Sequence, residues 1–177
     1  MLRWIRENPV GMGNGWEPYP LSLRIVNWIK WWSAQPGLDG ADAREISASL
    51  GLQSCLLAQQ VETHLLGNHL VENAKTLVFA GCFFEGAPAE RWFARGAKIL
   101  DAELDEQILD DGGYFELSPM YHAIVLEGVL DLLHLQRAYP SLPWQACRLP
   151  PARLWAKASV MLQWLHAMTH PDGEIAL

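Results

Sequence analysis

Apolar residues recur at three- and four-residue steps in segment after segment of this chain, and glycine or proline breaks each segment. Such steps put side chains on one face of an α-helix, whereas a half-buried strand needs strict alternation. The chain is therefore predicted to be all-α. In PLSLRIVNWIKWWS the apolar face is Leu21, Ile25, Trp28, Ile29 and Trp32. A second helix is predicted over Ala43–Leu66, with Asp42 as N-cap and a possible interruption at LGLQS. Further helices are predicted over Asn68–Phe84, Ala89–Leu109, Pro119–Tyr139 and Ala152–Thr169. The acids Asp101, Glu103, Asp105 and Glu106 are expected to face solvent. Helix–turn–helix pairs then return at a spacing of roughly forty residues, which suits stacked helical hairpins in a solenoid or a closed toroid.

Residues 1–20 read as irregular, because Gly11, Gly13, Gly15, Pro9, Pro18 and Pro20 punctuate them. GMGNG is no dinucleotide fingerprint, since no strand precedes it and the spacing is wrong. The predicted organisation is an irregular segment at 1–20, a helical domain at 21–170, and the start of a connection at 171–177, where GEIAL could begin a strand.

With half its residues hydrophobic and only 19% charged, the chain is expected to fold around a real core. A net charge of -7 and no basic patch argue against nucleic-acid binding. No apolar run is long enough to span a bilayer. The start carries no apolar signal region, so a chain complete as written stays in the cytoplasm. Cys55, Cys82 and Cys147 are far apart and odd in number, and read as buried free thiols. His64 with His69, or His69 with Glu72, falls short of a metal site. No metal or cofactor is expected.

Two stretches carry titratable groups at predicted helix starts. In LLGNHLVENAKTLVFAG, Asn68 and His69 follow Gly67. Asn68 reads either as a helix cap or as an amide donor beside a titratable ring, at a helix end that favours anions. In DDGGYFELSPMYHAIVLEGVLDLL, Tyr121 and His122 follow a glycine loop. They read as a half-buried ring and a supporting histidine, or as catalytic groups at an element end. Asp110, Asp111 and Glu116 around the loop are common turn formers, and also a possible acid pair for a glycosidase.

Together with WEPYPLSLRIVNWIKW, these stretches resemble the heparinase II/III-like polysaccharide lyases and their oligoalginate-lyase relatives, from about Trp16 to Leu177. The resemblance implies an incomplete (α/α) toroid, followed in the family by a β-sandwich domain that this chain lacks. It implies β-elimination on uronic-acid-containing polysaccharides, and so an anionic glycan as partner. Asn68 and His69 would neutralise the uronate carboxylate, Tyr121 would protonate the leaving oxygen, and His122 would orient the site. Trp16, Tyr19 and Glu116 would contact substrate, with Trp28 in the core. Tyr114 and Leu117 stand where the family pattern has His and Arg. The resemblance also implies a periplasmic or secreted protein. The chain reads as part of a lyase that is inactive without its further domain. A non-catalytic remnant binding a glycan or a partner protein is the alternative, and a glycosidase the third reading. Exposed helix faces would favour self-association.

Overall fold

Proline in the first turn starts four of the helices, where its missing N–H costs nothing and its fixed φ suits the helix. These are α2 (Pro18–Ser33), α5 (Ala87–Gln107), α6 (Pro119–Ala138) and α7 (Pro151–Ala167). Among the described residues three more α-helices form: α1 (Leu2–Glu7), α3 (Gly40–Gln59) and α4 (Gly67–Phe83). The structure is a computed structural model and describes every residue except Pro36, Leu66, Ala176 and Leu177.

Helices α2 and α3, α4 and α5, and α6 and α7 pack as successive hairpins. Helices α2, α4 and α6 form one row, in which α4 touches α2 on one side and α6 on the other. Helix α4 is the pivot. Nearly every residue from Gly67 to Cys82 is buried, as expected of a helix surrounded by others. The α4–α5 pair approaches very closely. A Cβ at Gly81 would lie 2.6 Å from Phe93 Cβ, and one at Gly96 would strike the Ala74 carbonyl. Bulk at either position would push the helices apart. Helix α7 is joined to α5 by Arg153, which pairs with Asp101 and Asp105.

Several expectations need correction. Residues 1–20 are not irregular: Leu2–Glu7 is helical, Asn14–Trp16 is a 3-10 turn, and α2 begins at Pro18. Trp4 caused this. Its ring packs against Trp16 and Trp28, and Arg24 lies 3.8 Å over it, so tertiary contacts hold a short helix among turn formers. The second helix stops at Gln59, and Val61–Leu65 is a loop, with Leu66 outside the described residues. Asp42 lies inside α3, whose N-cap is Asp39. Glu103 is buried against Gln107 rather than facing solvent. Of the thiols only Cys82 is buried, which pushes it up to about 12, while Cys55 is exposed. Among the described residues there is no strand beyond isolated bridges at Ile108–Tyr114 and Thr169–Ile175. No described helix is long and apolar enough to cross a membrane. Helix α7 exposes Trp155 and Leu162 on its outer side.

Candidate active site

The site forms where the loop before α4, the start of α2 and the loop before α6 meet. Glu62 folds inward on the first of these. Its backbone N–H donates to Asn73 Oδ1 at 2.9 Å, and Asn73 Nδ2 donates to Ser22 Oγ at 3.1 Å and to Glu62 Oε2 at 3.3 Å. The buried Glu62 carboxylate then reaches His69 Nδ1 at 3.3 Å. The His69 ring stacks on Tyr19 with centroids 4.3 Å apart and planes 20° apart. His69 is thereby held from two sides, and one face of Tyr19 is occupied. The Tyr19 hydroxyl is pushed above its ordinary pKa by burial and then by Glu72, against the pull of its hydrogen bond to the Asn68 side chain.

The second wall is the loop Ile108–Ser118. Leu109 N–H donates to the Gly113 carbonyl at 2.9 Å and Phe115 N–H to the Gln107 carbonyl at 2.9 Å, closing a small hairpin. Gly112 has φ +88, and a Cβ there would run into the Val160 backbone of α7, so only glycine fits. Asp111 accepts the Gly113 N–H at 2.9 Å. The hairpin drives Tyr114 into full burial, and its hydroxyl ends beside the Asn68 backbone without a regular hydrogen bond. Burial, and then Glu116, holds that hydroxyl well above the ordinary tyrosine pKa. Gln107 fastens this wall to α4, donating through Nε2 to the Gly67 carbonyl at 3.1 Å. Gly67 itself has φ +59, and a Cβ there would lie 3.0 Å from Glu116 Oε1 and 3.5 Å from the Tyr114 hydroxyl. Half-buried Tyr121 opens α6 with its backbone N–H on Ser118 Oγ at 3.5 Å, and its phenol is near enough to add to the upward push on both Tyr19 and Tyr114.

Asn68, His69, Tyr19, Glu116 and Tyr121 are thus gathered around the first turn of α4. Two other candidates are not. Trp16 is buried between Trp4 and the core, with no ring face free for a sugar. His122 is completely buried, stacked on Trp164 at 4.5 Å, with Nε2 3.0 Å from the Met161 carbonyl. It is adjacent to Tyr121 in sequence, but one residue on a helix is about a 100° turn, and that turn aims it at α7. Trp28 packs against the core as expected. Of the acids around the loop, Asp111 accepts the Gly113 N–H and Glu116 lies at Gly67. Leu117 has φ +56 and is exposed.

Sequence reasoning missed Glu62, and it took Tyr114 only as a departure from a pattern. It weighed Glu72 only as a metal ligand and missed its pair with Lys75, buried at 2.8 Å one turn below Asn68. Two charges within an otherwise apolar helix were the available signal, because burying charge is costly unless it is paired. Chemically, the cluster offers an amide, an imidazole, three phenols and the carboxylates of Glu62 and Glu116 around a helix start. Tyr19 and Tyr114, with raised pKa values, stay protonated at neutral pH and are donors. Among the described residues no three potential ligands come together for a metal.

The family model for the heparinase II/III N-terminus matches residues 4–174. A heparin-sulfate lyase of Pedobacter heparinus is 29% identical over 154 residues, 77% of this chain and 23% of that protein. One from Bacteroides stercoris is 36% identical over 74 residues, 41% of this chain and 11% of that protein. The crystal structure of the heparan sulfate lyase HepC from Pedobacter heparinus superposes with a TM-score of 0.67 at 25% identity, covering 97% of this chain and 27% of that one. The crystal structure of heparinase III gives 0.71 at 22% identity, with 97% and 26% covered. The chain spans about a quarter of the length of these structures, and its hairpins form an arc of their helical toroid.

Proposed function

The chain belongs to the heparinase II/III family, matching its N-terminal region, and from that premise we propose that it is a module of a polysaccharide lyase that cleaves uronic-acid-containing glycans by β-elimination. The observation that carries the reading is the gathering of Asn68, His69, Tyr19, Tyr114 and Glu116 around the first turn of α4, with Tyr121 opening the helix beside it. The proton beside a uronate carboxylate is a weak acid, so its removal needs the carboxylate charge neutralised. The Asn68 amide and the N-terminal dipole of α4 supply donors and positive potential where the enolate-like charge grows. His69, braced by Glu62 and Tyr19, holds the carboxylate from the side. A base takes the proton, the C–O bond to the departing sugar breaks, and Tyr121 gives its proton to the leaving oxygen. The product carries a carbon–carbon double bond conjugated to the carboxylate. Glu116, beside Gly67, is assigned to accept hydrogen bonds from sugar hydroxyls.

We assign the completion of the catalytic set to a β-sandwich domain of the kind the resemblance implies, without which this module is inactive. Residues 171–177 are assigned to the connection toward it. A polymeric substrate places the whole protein in the periplasm or outside the cell. The test joins this chain to such a domain and follows ultraviolet absorbance on uronate polysaccharides. Saturated products one water heavier would instead mark hydrolysis.

A further inference from the structure

Glu62, in the loop before α4, is 7% exposed, and its only ion-pair partner among the described residues is His69. Asn73 lies one turn beyond His69 on α4, so the two share a helix face that the loop covers. The Asn73 amide has one orientation open to it. Its Oδ1 accepts the Glu62 backbone N–H at 2.9 Å, which leaves Nδ2 to donate to Ser22 Oγ at 3.1 Å and to Glu62 Oε2 at 3.3 Å. Ser22 and Asn73 are fully buried, so α2 and α4 together fix the place of the carboxylate. Both Glu62 oxygens then stand 3.3 Å from His69 Nδ1. An ionised carboxylate only accepts, so the nitrogen that faces it carries the hydrogen. Tyr19 covers one face of the ring, and no hydrogen bond engages Nε2 among the described residues.

We infer that Glu62 is a positioning residue: it locks His69 in the form with hydrogen on Nδ1 and leaves Nε2 for the substrate. What Nε2 meets there rests on the uronate-lyase reading. A bare Nε2 lone pair repels a carboxylate. To hold the uronate, Nε2 takes one proton from solvent and becomes a donor. The imidazolium then lies between two carboxylates, Glu62 at Nδ1 and the uronate at Nε2, each in a charge-assisted hydrogen bond. Glu62 supplies the counter-charge for this clamp without touching the substrate, and Asn73 and Ser22 hold Glu62 in place.

Nitrogen-15 NMR of the imidazole rings in the full chain tests this, at a pH where the free ring is neutral. The His69 signals are assigned by their loss in His69→Gln. The unaltered chain should show a protonated Nδ1 and a bare Nε2. Adding a uronate oligosaccharide should bring both nitrogens to the protonated position. In Glu62→Gln, Asn73 Nδ2 still donates to the side-chain oxygen, so the new amide N–H faces Nδ1 and the two nitrogen shifts should exchange. A protonated Nε2 in the free, unaltered chain overturns the inference, and so do shifts that Glu62→Gln leaves unchanged. Should that variant fail to fold, the spectrum of the unaltered chain decides the tautomer by itself. Shifts that exchange as expected, in a ring blind to the uronate, uphold Glu62 as the positioning residue and remove His69 from the uronate reading.

Discussion

His69 in the first turn of α4 and His122 in the first turn of α6 look alike in the sequence, each beside a polar residue after a loop that contains glycine. In the fold, the His69 side chain is 39% exposed and leans on Tyr19 and Glu62. His122 is wholly buried under α7. The difference comes from what covers each helix start. Helix α7 lies across α6 and supplies Trp164 and the Met161 carbonyl. The start of α4 meets the Tyr19 ring, Gln107 of α5 and the flanking loops, and no helix crosses over His69, which stays part exposed. A helix start becomes a site when no neighbouring helix spends its polar groups on packing.

The contrast can be broken by substitution, and the largest effect belongs to the buried charges behind the site. Lys75→Met leaves Glu72 without its partner and should cost about 3–5 kcal/mol in denaturant unfolding. Pairing it with Glu72→Gln should recover much of that loss. His122→Ala should cost about 2–4 kcal/mol by opening a cavity against Trp164. His69→Ala should cost less than about 1 kcal/mol while lowering the lyase rate of the completed protein. If the two alanine variants lose equal stability, the distinction between the two histidines fails.

Titration sharpens the same contrast. Burial lowers the His122 pKa from its ordinary 6.5. The unfolded chain then binds the proton more readily, so stability is full above about pH 6.5 and is lost as pH falls through the lowered folded value. His122→Gln should flatten that part of the stability–pH curve. An unchanged curve would show that another group titrates there. A smaller effect is expected at Gly67→Ala, where positive φ and crowding by Glu116 should cost about 1–2 kcal/mol and disturb the site. Least of all, Asp111→Asn should shift stability by less than about 1 kcal/mol with the lyase rate preserved. A catalytic role for Asp111 requires the opposite.

The helices were legible because burial on one face leaves a three-and-four step in the apolar residues, as at Leu21, Ile25 and Ile29. Their starts were legible at Pro119 and near Pro151 because proline tolerates only the first turn. Helix α1 was not, since Trp4 is held by Trp16, Trp28 and Arg24 from elsewhere in the chain. For the site, Asn68, His69 and Tyr121 stood out as polar residues at helix starts. Glu62 acts through contacts across a loop, to Asn73 and His69, which local patterning does not encode, whereas Glu72 and Lys75 left a signal as two charges in an apolar helix. Trp16 and His122 misled for the matching reason. An aromatic or a histidine beside a turn reads the same whether solvent or another helix covers it.

The central claim is that the start of α4 and Tyr121 form one β-elimination site. The most direct measurement is the ultraviolet absorbance of products released from a uronate polysaccharide by the chain joined to the proposed β-sandwich domain, compared with the Tyr121→Phe variant. The account predicts a conjugated-product signal that falls by about 10²–10⁴-fold in the variant, with the unfolding transition unchanged. A variant that keeps its full rate would contradict it.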